Sequence, residues 1–407
     1  MSMIRHELPF PEHNDYSICR YLRHIWEAGW FDEYSENHFI VKAIENTLES
    51  FVGYTQMLNN DPNMHGLIKA TGILDNASFN SSFCMNLSGR LECLDNIFGR
   101  SHIERFVRDQ LSAGKDNYNE DTFFEALSEL SVLYFYACRT EWKQALYEPP
   151  VSNANSQKNP EAKFIGTVST DNGTSEFIVN IEVKCPKFPE YNNHGEKIAI
   201  PTVLLSSEGR RLIPDFCKEN EIRFISPRVM KLKDFLNSAA SKFAFPQTNE
   251  YNLLYINWTY CDFPSNSYLE AWSLLTNTIN GILTHPDAAQ CIGVSPDVFK
   301  KISAVIVYTE ALEGLMFLDF RFVWQTNRRG PRFRMWVLDD KLRTAEILQE
   351  SNDLFEITGM KPTDELTQMV MADFKSKTET EKVSNAKLCY DLAKLIEQHA
   401  ENYGEND

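Results

Sequence analysis

The spacing of apolar residues changes near residue 160, and this change constrains the fold more than any other feature of the sequence. Between Tyr16 and Leu111 the apolar residues recur every three or four positions, as they do on one side of a helix. After the polar loop Pro149–Pro160, the segments Lys163–Ser169 and Phe177–Lys184 have the pattern of strands. The sequence therefore predicts a helical N-terminal region followed by a region that contains a sheet.

Strands and helices alternate after this loop. The turn Asp171-Asn172-Gly173 is expected to join the first two strands into a hairpin. The patterns beyond it predict, in chain order, a helix at Arg228–Phe243, a strand at Tyr251–Trp258, a helix at Ser265–Leu283 and a strand at Lys301–Tyr308. This order predicts an α/β fold, in which active sites gather at sheet edges and strand ends.

Two local signals concern the helices that precede the loop. The Asn- and Ser-rich stretch Asn76–Ser82 predicts a loop between helices at Gly66–Ile73 and Leu91–Leu111. Asp121 is expected to cap a long helix that begins near Phe123.

We expect three domains. Residues 1–118 form a helical domain suited to scaffolding or dimerisation, and residues 119–320 form the α/β domain. Residues 321–407 begin with a basic segment and continue with helices from Thr363 to about Asn402.

Charge and composition exclude several classes of protein. The formal net charge is −17, which argues against a protein that coats nucleic acid or anionic membrane, because its overall field repels phosphate. With 43% hydrophobic residues the chain has enough apolar material for a large core. It contains neither an apolar run of about 18 residues nor a secretory signal, so we expect a cytoplasmic protein with no membrane partner.

The strand Phe177–Lys184 contains the most informative pattern. Side chains alternate between the two faces of a strand, so Asn180, Glu182 and Lys184 share one face while the apolar residues between them share the other. The carboxylate and the ammonium would then lie side by side, near enough to act on the same bound water or phosphate. The alternative is an ordinary ion pair on a solvated sheet face.

Other acidic residues precede this strand, one at the start of the preceding strand and two on a helix further upstream. Pro160-Glu161 opens the preceding strand, and the hairpin would bring the Glu161 carboxylate beside Glu182. Two like charges this close are costly unless a cation lies between them. Further upstream, the apolar helix Phe124–Phe135 carries Glu125 and Glu129.

The order of helix with Glu, Pro-acid strand, Glu-x-Lys strand, helix and strand resembles the PD-(D/E)xK nuclease superfamily, over about residues 121–310. The resemblance implies a restriction-endonuclease-like mixed sheet flanked by helices and binding of Mg²⁺ or Mn²⁺. It assigns the metal to Glu129 (in second place Glu125), Glu161 and Glu182, and it assigns Lys184 to the attacking water. The family has Pro-Asp where this chain has Pro160-Glu161, and Asp171 is the alternative ligand.

Because the protein is acidic overall, nucleic acid can bind only where basic residues are concentrated locally. Residues 321–343 contain seven basic residues against two acids, with aromatic residues interleaved. The expected nucleic-acid-binding residues are Arg228, Lys231, Lys233, Lys242, Arg328, Arg329, Arg332 and Arg334. An amphipathic strand or hairpin with a solvated basic face is the alternative interpretation of residues 321–343.

These patterns favour a metal-dependent nuclease that hydrolyses phosphodiester bonds, with DNA as the expected substrate and a restriction or defence role implied by the resemblance. A homodimer or a partner subunit is compatible with the helical N-terminal domain. The alternative is a catalytically inactive nuclease fold, or an unrelated α/β protein, that binds nucleic acid or another protein. The chain contains no GxxxxGK[ST], GxGxxG, HExxH or GxSxG motif.

Overall fold

The structure is a computed structural model, and fifteen stretches of the chain are described here. They are residues 20–47, 74–138, 142–150, 159–170, 173–186, 197–198, 223–224, 229–258, 267–276, 281–284, 289–290, 292–308, 333–339, 342 and 355–359. The helices predicted at Gly66–Ile73 and between Thr363 and Asn402 lie outside these residues.

The chain forms two compact units. Unit 1 comprises Met1–Tyr147, Phe164–Gly166 and Glu310–Gly330, and unit 2 comprises Glu148–Lys163, Thr167–Thr309 and Pro331–Asp407. The division into domains 1–118, 119–320 and 321–407 stays a prediction.

Most of the described part of unit 1 is helical. Its helices are α1 (Arg20–Glu27), α2 (39–47), α3 (Leu74–Phe98), α4 (Arg100–Arg105) and α5 (Glu120–Ala137), with a π-helical turn at Phe106–Leu111 and a 3₁₀ turn at Lys115–Asn117. None of the described helices has both the length and the apolar content that crossing a bilayer requires.

The predicted loop at Asn76–Ser82 is wrong, because α3 runs through it without interruption. The apolar residues Phe79, Phe83, Leu87 and Leu91 keep a spacing of four across this stretch. The last three of them are buried. Burial of one apolar side thus outweighs the weak helix propensity of Asn and Ser.

Asn119, not Asp121, caps α5. The Asn119 backbone is extended, and the Thr122 backbone N–H donates a hydrogen bond of 2.9 Å to Asn119 Oδ1. Asp121 lies in the first turn of the helix, where its negative charge faces the positive end of the helix dipole.

A seven-stranded sheet confirms the predicted α/β class. Its strands are β1 (Gln144–Tyr147), β2 (Ala162–Thr170), β3 (Gly173–Lys184), β6 (Glu250–Asn257), β7 (Ala304–Tyr308), β8 (Phe333–Val337) and β9 (Phe355–Gly359), in that spatial order. Two short strands, β4 (Lys197–Ile198) and β5 (Arg223–Phe224), pair with each other.

The sheet is mixed. Strands β3, β6 and β7 run parallel, β8 is antiparallel to β7, and β9 is parallel to β8. The two-residue connection between the neighbours β2 and β3 permits only antiparallel pairing, as predicted for the hairpin.

In unit 2, helices α6 (Val229–Lys242) and α7 (Ser267–Thr276) pack on β6, β7 and β8. Leu232, Leu236 and Ala239 of α6, and Phe243 directly after it, recur at helical spacing and are fully or almost fully buried. They share one core cluster with Leu254 and Ile256 of β6, Val305 and Val307 of β7 and Trp336 of β8. The core thus lies between one sheet face and these helices.

Three predicted boundaries in unit 2 are wrong. Strand β3 begins at Gly173, four residues before the predicted start at Phe177. Residues 281–284 are not helical, although 281–283 belong to the predicted helix Ser265–Leu283. The backbone N–H groups of Ile282 and Leu283 donate to the carbonyls of Leu274 and Leu275 of α7 instead of making helical hydrogen bonds. The strand predicted from Lys301 begins at Ala304, since Lys301 is the last residue of the short helix α8 (Val298–Lys301).

Replacing the α5 cap tests this description. We expect Asn119→Ala to lower the free energy of unfolding by about 1 kcal/mol, because the Thr122 N–H loses its acceptor. The matched variant Asp121→Ala should cost about 0.3 kcal/mol, since it removes only an exposed charge from the first turn. Urea unfolding of both variants measures this, and a larger loss for Asp121→Ala would contradict the assignment of the cap.

Candidate functional site

The site forms on the face of β3 that carries Asn180, Glu182 and Lys184. The strand register places Glu182 beside Leu254 and Lys184 beside Ile256, and both partners belong to the core beneath α6 and α7. The predicted alternation is confirmed, but this face is covered rather than solvated. Because Glu182 is 0% exposed, the alternative of an ion pair on a solvated face is wrong.

Two lysine ammonium groups approach the same carboxylate oxygen. Lys184 Nζ lies 2.5 Å and Lys242 Nζ lies 2.7 Å from Glu182 Oε1. Among the described residues, the buried Oε2 of Glu182 has no hydrogen-bond partner. One oxygen of this carboxylate is thus compensated by two ion pairs, and the other is free to accept a ligand.

Glu161, the residue directly before β2, joins this cluster. Its backbone N–H donates a hydrogen bond of 2.9 Å to the carbonyl of Ile181. The backbone N–H of Glu148 donates one of 2.8 Å to the carbonyl of Glu161. This pairing fixes the position of Glu161 next to Glu182 at the open end of the hairpin. Lys242 Nζ donates a hydrogen bond of 3.1 Å to Glu161 Oε1.

Lys242 reaches both carboxylates from the end of α6. It follows the buried residues Ala239 and Ala240, so its side chain leaves the helix at the flank of the apolar side, and only 11% of that side chain is exposed. Its prediction as a nucleic-acid-binding residue rested on charge alone. The sequence feature that indicates its burial is its position in the last turn of α6, beside the apolar side of that helix.

Burial controls the ionisation of Glu182. Removal of its carboxylate from water and the nearby negative charge of Glu161 raise its pKa, while Lys184 and Lys242 lower it, and the net result is a pKa of about 7. Burial lowers the pKa of the Lys242 ammonium, but Glu161 and Glu182 outweigh it, so the pKa rises above its ordinary value. Lys242 therefore stays charged at neutral pH.

The third predicted carboxylate, Glu129, lies on α5 in unit 1. It is largely buried and accepts a hydrogen bond of 3.0 Å from the Tyr147 hydroxyl, which itself accepts one of 2.8 Å from Gln110 Nε2. Its first alternative, Glu125, is partly buried on the same helix. Asp171 lies outside the described residues.

The predicted nucleic-acid-binding residues are dispersed. Lys231 is exposed near the start of α6, and Lys233 Nζ lies 3.4 Å from Asp234 Oδ1 on the same helix. Arg334 belongs to β8, where it pairs with Val307. The residues of this set outside the described part of the chain are Arg228, Arg328, Arg329 and Arg332.

A buried polar network lies on the same face, toward the start of β6. Asn180 Nδ2 donates a hydrogen bond of 2.7 Å to Asn252 Oδ1. Asn252 Nδ2 in turn donates hydrogen bonds to the carbonyls of Ala244 and Lys301. The Asn252 backbone N–H also donates to Ser303 Oγ. These bonds tie β3 and β6 to the segment after α6 and to the end of α8, and the regular strand pattern of β6 does not predict them.

The chemistry of the Glu161 and Glu182 carboxylates indicates whether they could hold a divalent metal ion. The described residues contain no group of three or more His, Cys, Asp or Glu side chains that could hold a metal ion. Mg²⁺ needs fewer protein ligands, because it keeps several waters and is commonly held by one or two carboxylates together with substrate phosphate. Glu161 and Glu182 fit this requirement, because their carboxylates lie close enough to share one cation, the Lys242 ammonium.

Comparison of the chain with protein-family models, with curated proteins and with solved structures finds no match.

The raised pKa of Glu182 predicts a pH-dependent stability. Glu182 contributes stability below pH of about 4.5, where its carboxyl is protonated in the folded and the unfolded chain, and this contribution disappears as pH rises through about 7. The difference in free energy of unfolding between wild type and Glu182→Gln should therefore decline between these values. Urea unfolding without divalent metal, from pH 5 to pH 8, measures it.

The matched control is Glu176→Gln, which removes the same charge from an exposed position of the same strand. Its difference from wild type should stay nearly flat over this range. A Glu182→Gln difference that is equally flat would show that the carboxyl titrates near its ordinary pKa.

Proposed function

We propose that this protein is a metal-dependent nuclease that hydrolyses phosphodiester bonds in nucleic acid, with DNA as the expected substrate. The observation that carries the proposal is the convergence of Glu161, Glu182 and Lys184 at the open end of the β2–β3 hairpin. Glu161 and Glu182 both contact Lys242, and Lys184 contacts Glu182. Two acids at one place can hold a metal ion, and a lysine beside them can offset charge that develops on a phosphate, which are useful groups for metal-assisted phosphodiester hydrolysis.

The element order supports the assignment to a restriction-endonuclease-like fold. Helix α5 precedes the β2–β3 hairpin, α6 follows it, and β6 then pairs in parallel with β3. This is the order that suggested the PD-(D/E)xK superfamily from the sequence. The proposal uses Glu161 and Glu182 as the carboxylates and makes no use of Glu129.

Each residue has a distinct role in the proposed reaction. Glu161 and Glu182 would hold Mg²⁺ or Mn²⁺, which when bound polarises the phosphoryl oxygen and lowers the pKa of a coordinated water. Lys184 lies two residues beyond Glu182 on the same face, so its ammonium can orient the attacking water or offset charge that develops on the phosphate. The covered sheet face excludes bulk water from these charges, which strengthens each interaction.

Cleavage assays with matched variants test the proposal. Plasmid, linear DNA and RNA are incubated with the purified protein in Mg²⁺ or Mn²⁺, and we expect cleavage of at least one substrate. Glu182→Gln and Lys184→Met should each lower the rate by about 100-fold or more, because one removes a ligand charge and the other the water-orienting group. Circular dichroism of each variant checks that it is folded.

Two control variants remove the same charges elsewhere. Glu176→Gln and Lys300→Met alter exposed residues of unit 2 and should cleave at the wild-type rate. If Glu182→Gln and Lys184→Met also cleave at that rate, the assigned active site is wrong.

A catalytically inactive nuclease fold is the second candidate. The observation that favours it is the balance of charge, because the two carboxylates and the two ammonium groups neutralise one another within the cluster. Such a cluster can be purely structural. This candidate predicts that the folded wild-type protein cleaves none of the three substrates in either metal.

A further inference from the structure

Lys242 holds the position between the two acidic side chains of the site. Its Nζ lies 3.1 Å from Glu161 Oε1 and 2.7 Å from Glu182 Oε1, so one ammonium bridges both carboxylates. Mg²⁺ or Mn²⁺ held by the same two carboxylates would need the place between them. The ammonium and such a cation cannot occupy this place together.

We propose that Lys242 is an internal cation, which occupies the metal position of the metal-free protein and must leave it when a divalent cation binds. This inference rests on the proposed function, since it concerns the same carboxylates. Lys242 thereby sets the affinity of the site for metal, in addition to any contact that it makes with nucleic acid.

Charge balance explains why a bridging lysine is needed. Glu161 and Glu182 repel each other, and the side chain of Glu182 is removed from water, so the metal-free site is costly without a positive charge between the acids. Lys184 compensates only Glu182, since its ion pair is with that residue. Lys242 is the group that compensates both, and metal binding must therefore compete with it.

The side chain of Lys242 is able to move. Four rotatable carbon–carbon bonds connect the ammonium to the backbone at the last residue of α6. The negative end of the helix dipole also stabilises the ammonium in other positions near this helix end. An anionic phosphate oxygen of a bound phosphodiester offers the displaced ammonium a new partner. Substrate binding would then favour metal binding, because both remove Lys242 from its position between the acids.

Metal binding without nucleic acid tests this idea. Calorimetric titration with Mn²⁺ should give a Kd at least about tenfold lower for Lys242→Met than for wild type, because the competing ammonium is gone. Lys231→Met is the matched control, since it removes the same charge from an exposed position eleven residues earlier on the same helix. Its Kd should lie within about twofold of wild type. An unchanged or weaker affinity of folded Lys242→Met would overturn the proposal.

A second measurement needs no variant and therefore does not depend on the folding of Lys242→Met. Wild-type protein is acetylated with an amine-reactive ester, with and without saturating Mn²⁺, and each lysine is followed by peptide mass spectrometry. We expect Lys242 to react several-fold faster with Mn²⁺, while the exposed Lys231 reacts equally in both conditions. Equal protection of Lys242 with and without metal would overturn the proposal.

The two proposals fail in different ways. If wild type cleaves nucleic acid with a bound metal while Lys242→Met has the wild-type Kd, only the internal cation is wrong. If no variant binds Mn²⁺ and wild type cleaves none of the substrates, the nuclease proposal fails and the internal cation fails with it.

Discussion

The burial of the Glu182 carboxylate is the constraint on which the rest of the site depends. An ionised carboxylate loses several kcal/mol of hydration when it is enclosed by protein, so it must be neutralised or paired. Lys184 of the same strand supplies one partner and Lys242 of α6 supplies the other. The second partner is available only when α6 packs on the sheet. Packing of the apolar side of α6 and compensation of the buried charge are therefore a single event.

Glu182 also lies at a boundary within one sheet face. The row that crosses β3, β6, β7 and β8 at this level contains Glu182, Leu254, Val305 and Trp336. Three of these four positions belong to the apolar core under α6 and α7, and the charge occurs only where that layer meets the hairpin. A charge at the rim of an apolar layer experiences low dielectric screening while its partners stay within reach. This placement gives the cluster both its perturbed ionisation and its proposed use.

Local sequence patterns predicted the strands well and the ends of the helices poorly. Alternation identified both ends of β2 and β6 to within one residue, and the last residue of β3, because a covered strand face tolerates few departures from the pattern. Strand β3 begins four residues before its predicted start, where its residues are mostly exposed and the pattern is lost. The Asn- and Ser-rich stretch of α3 predicts a loop by its propensity, but the apolar spacing that continues through it favours the helix that is observed. The cap of α5 was assigned to Asp121 because acids in a first turn and true caps look alike in sequence.

The sequence by itself determined the α/β class and the sharing of one strand face by Glu182 and Lys184, because both follow from periodicities of the backbone. The tertiary structure decided that this face is buried and that Glu161 and Lys242, 81 residues apart, meet beside Glu182. It also gave Glu129 a hydrogen bond with Tyr147. No local pattern could specify these partners, because an ion pair between distant residues depends on strand register and helix packing, which the whole core fixes at once.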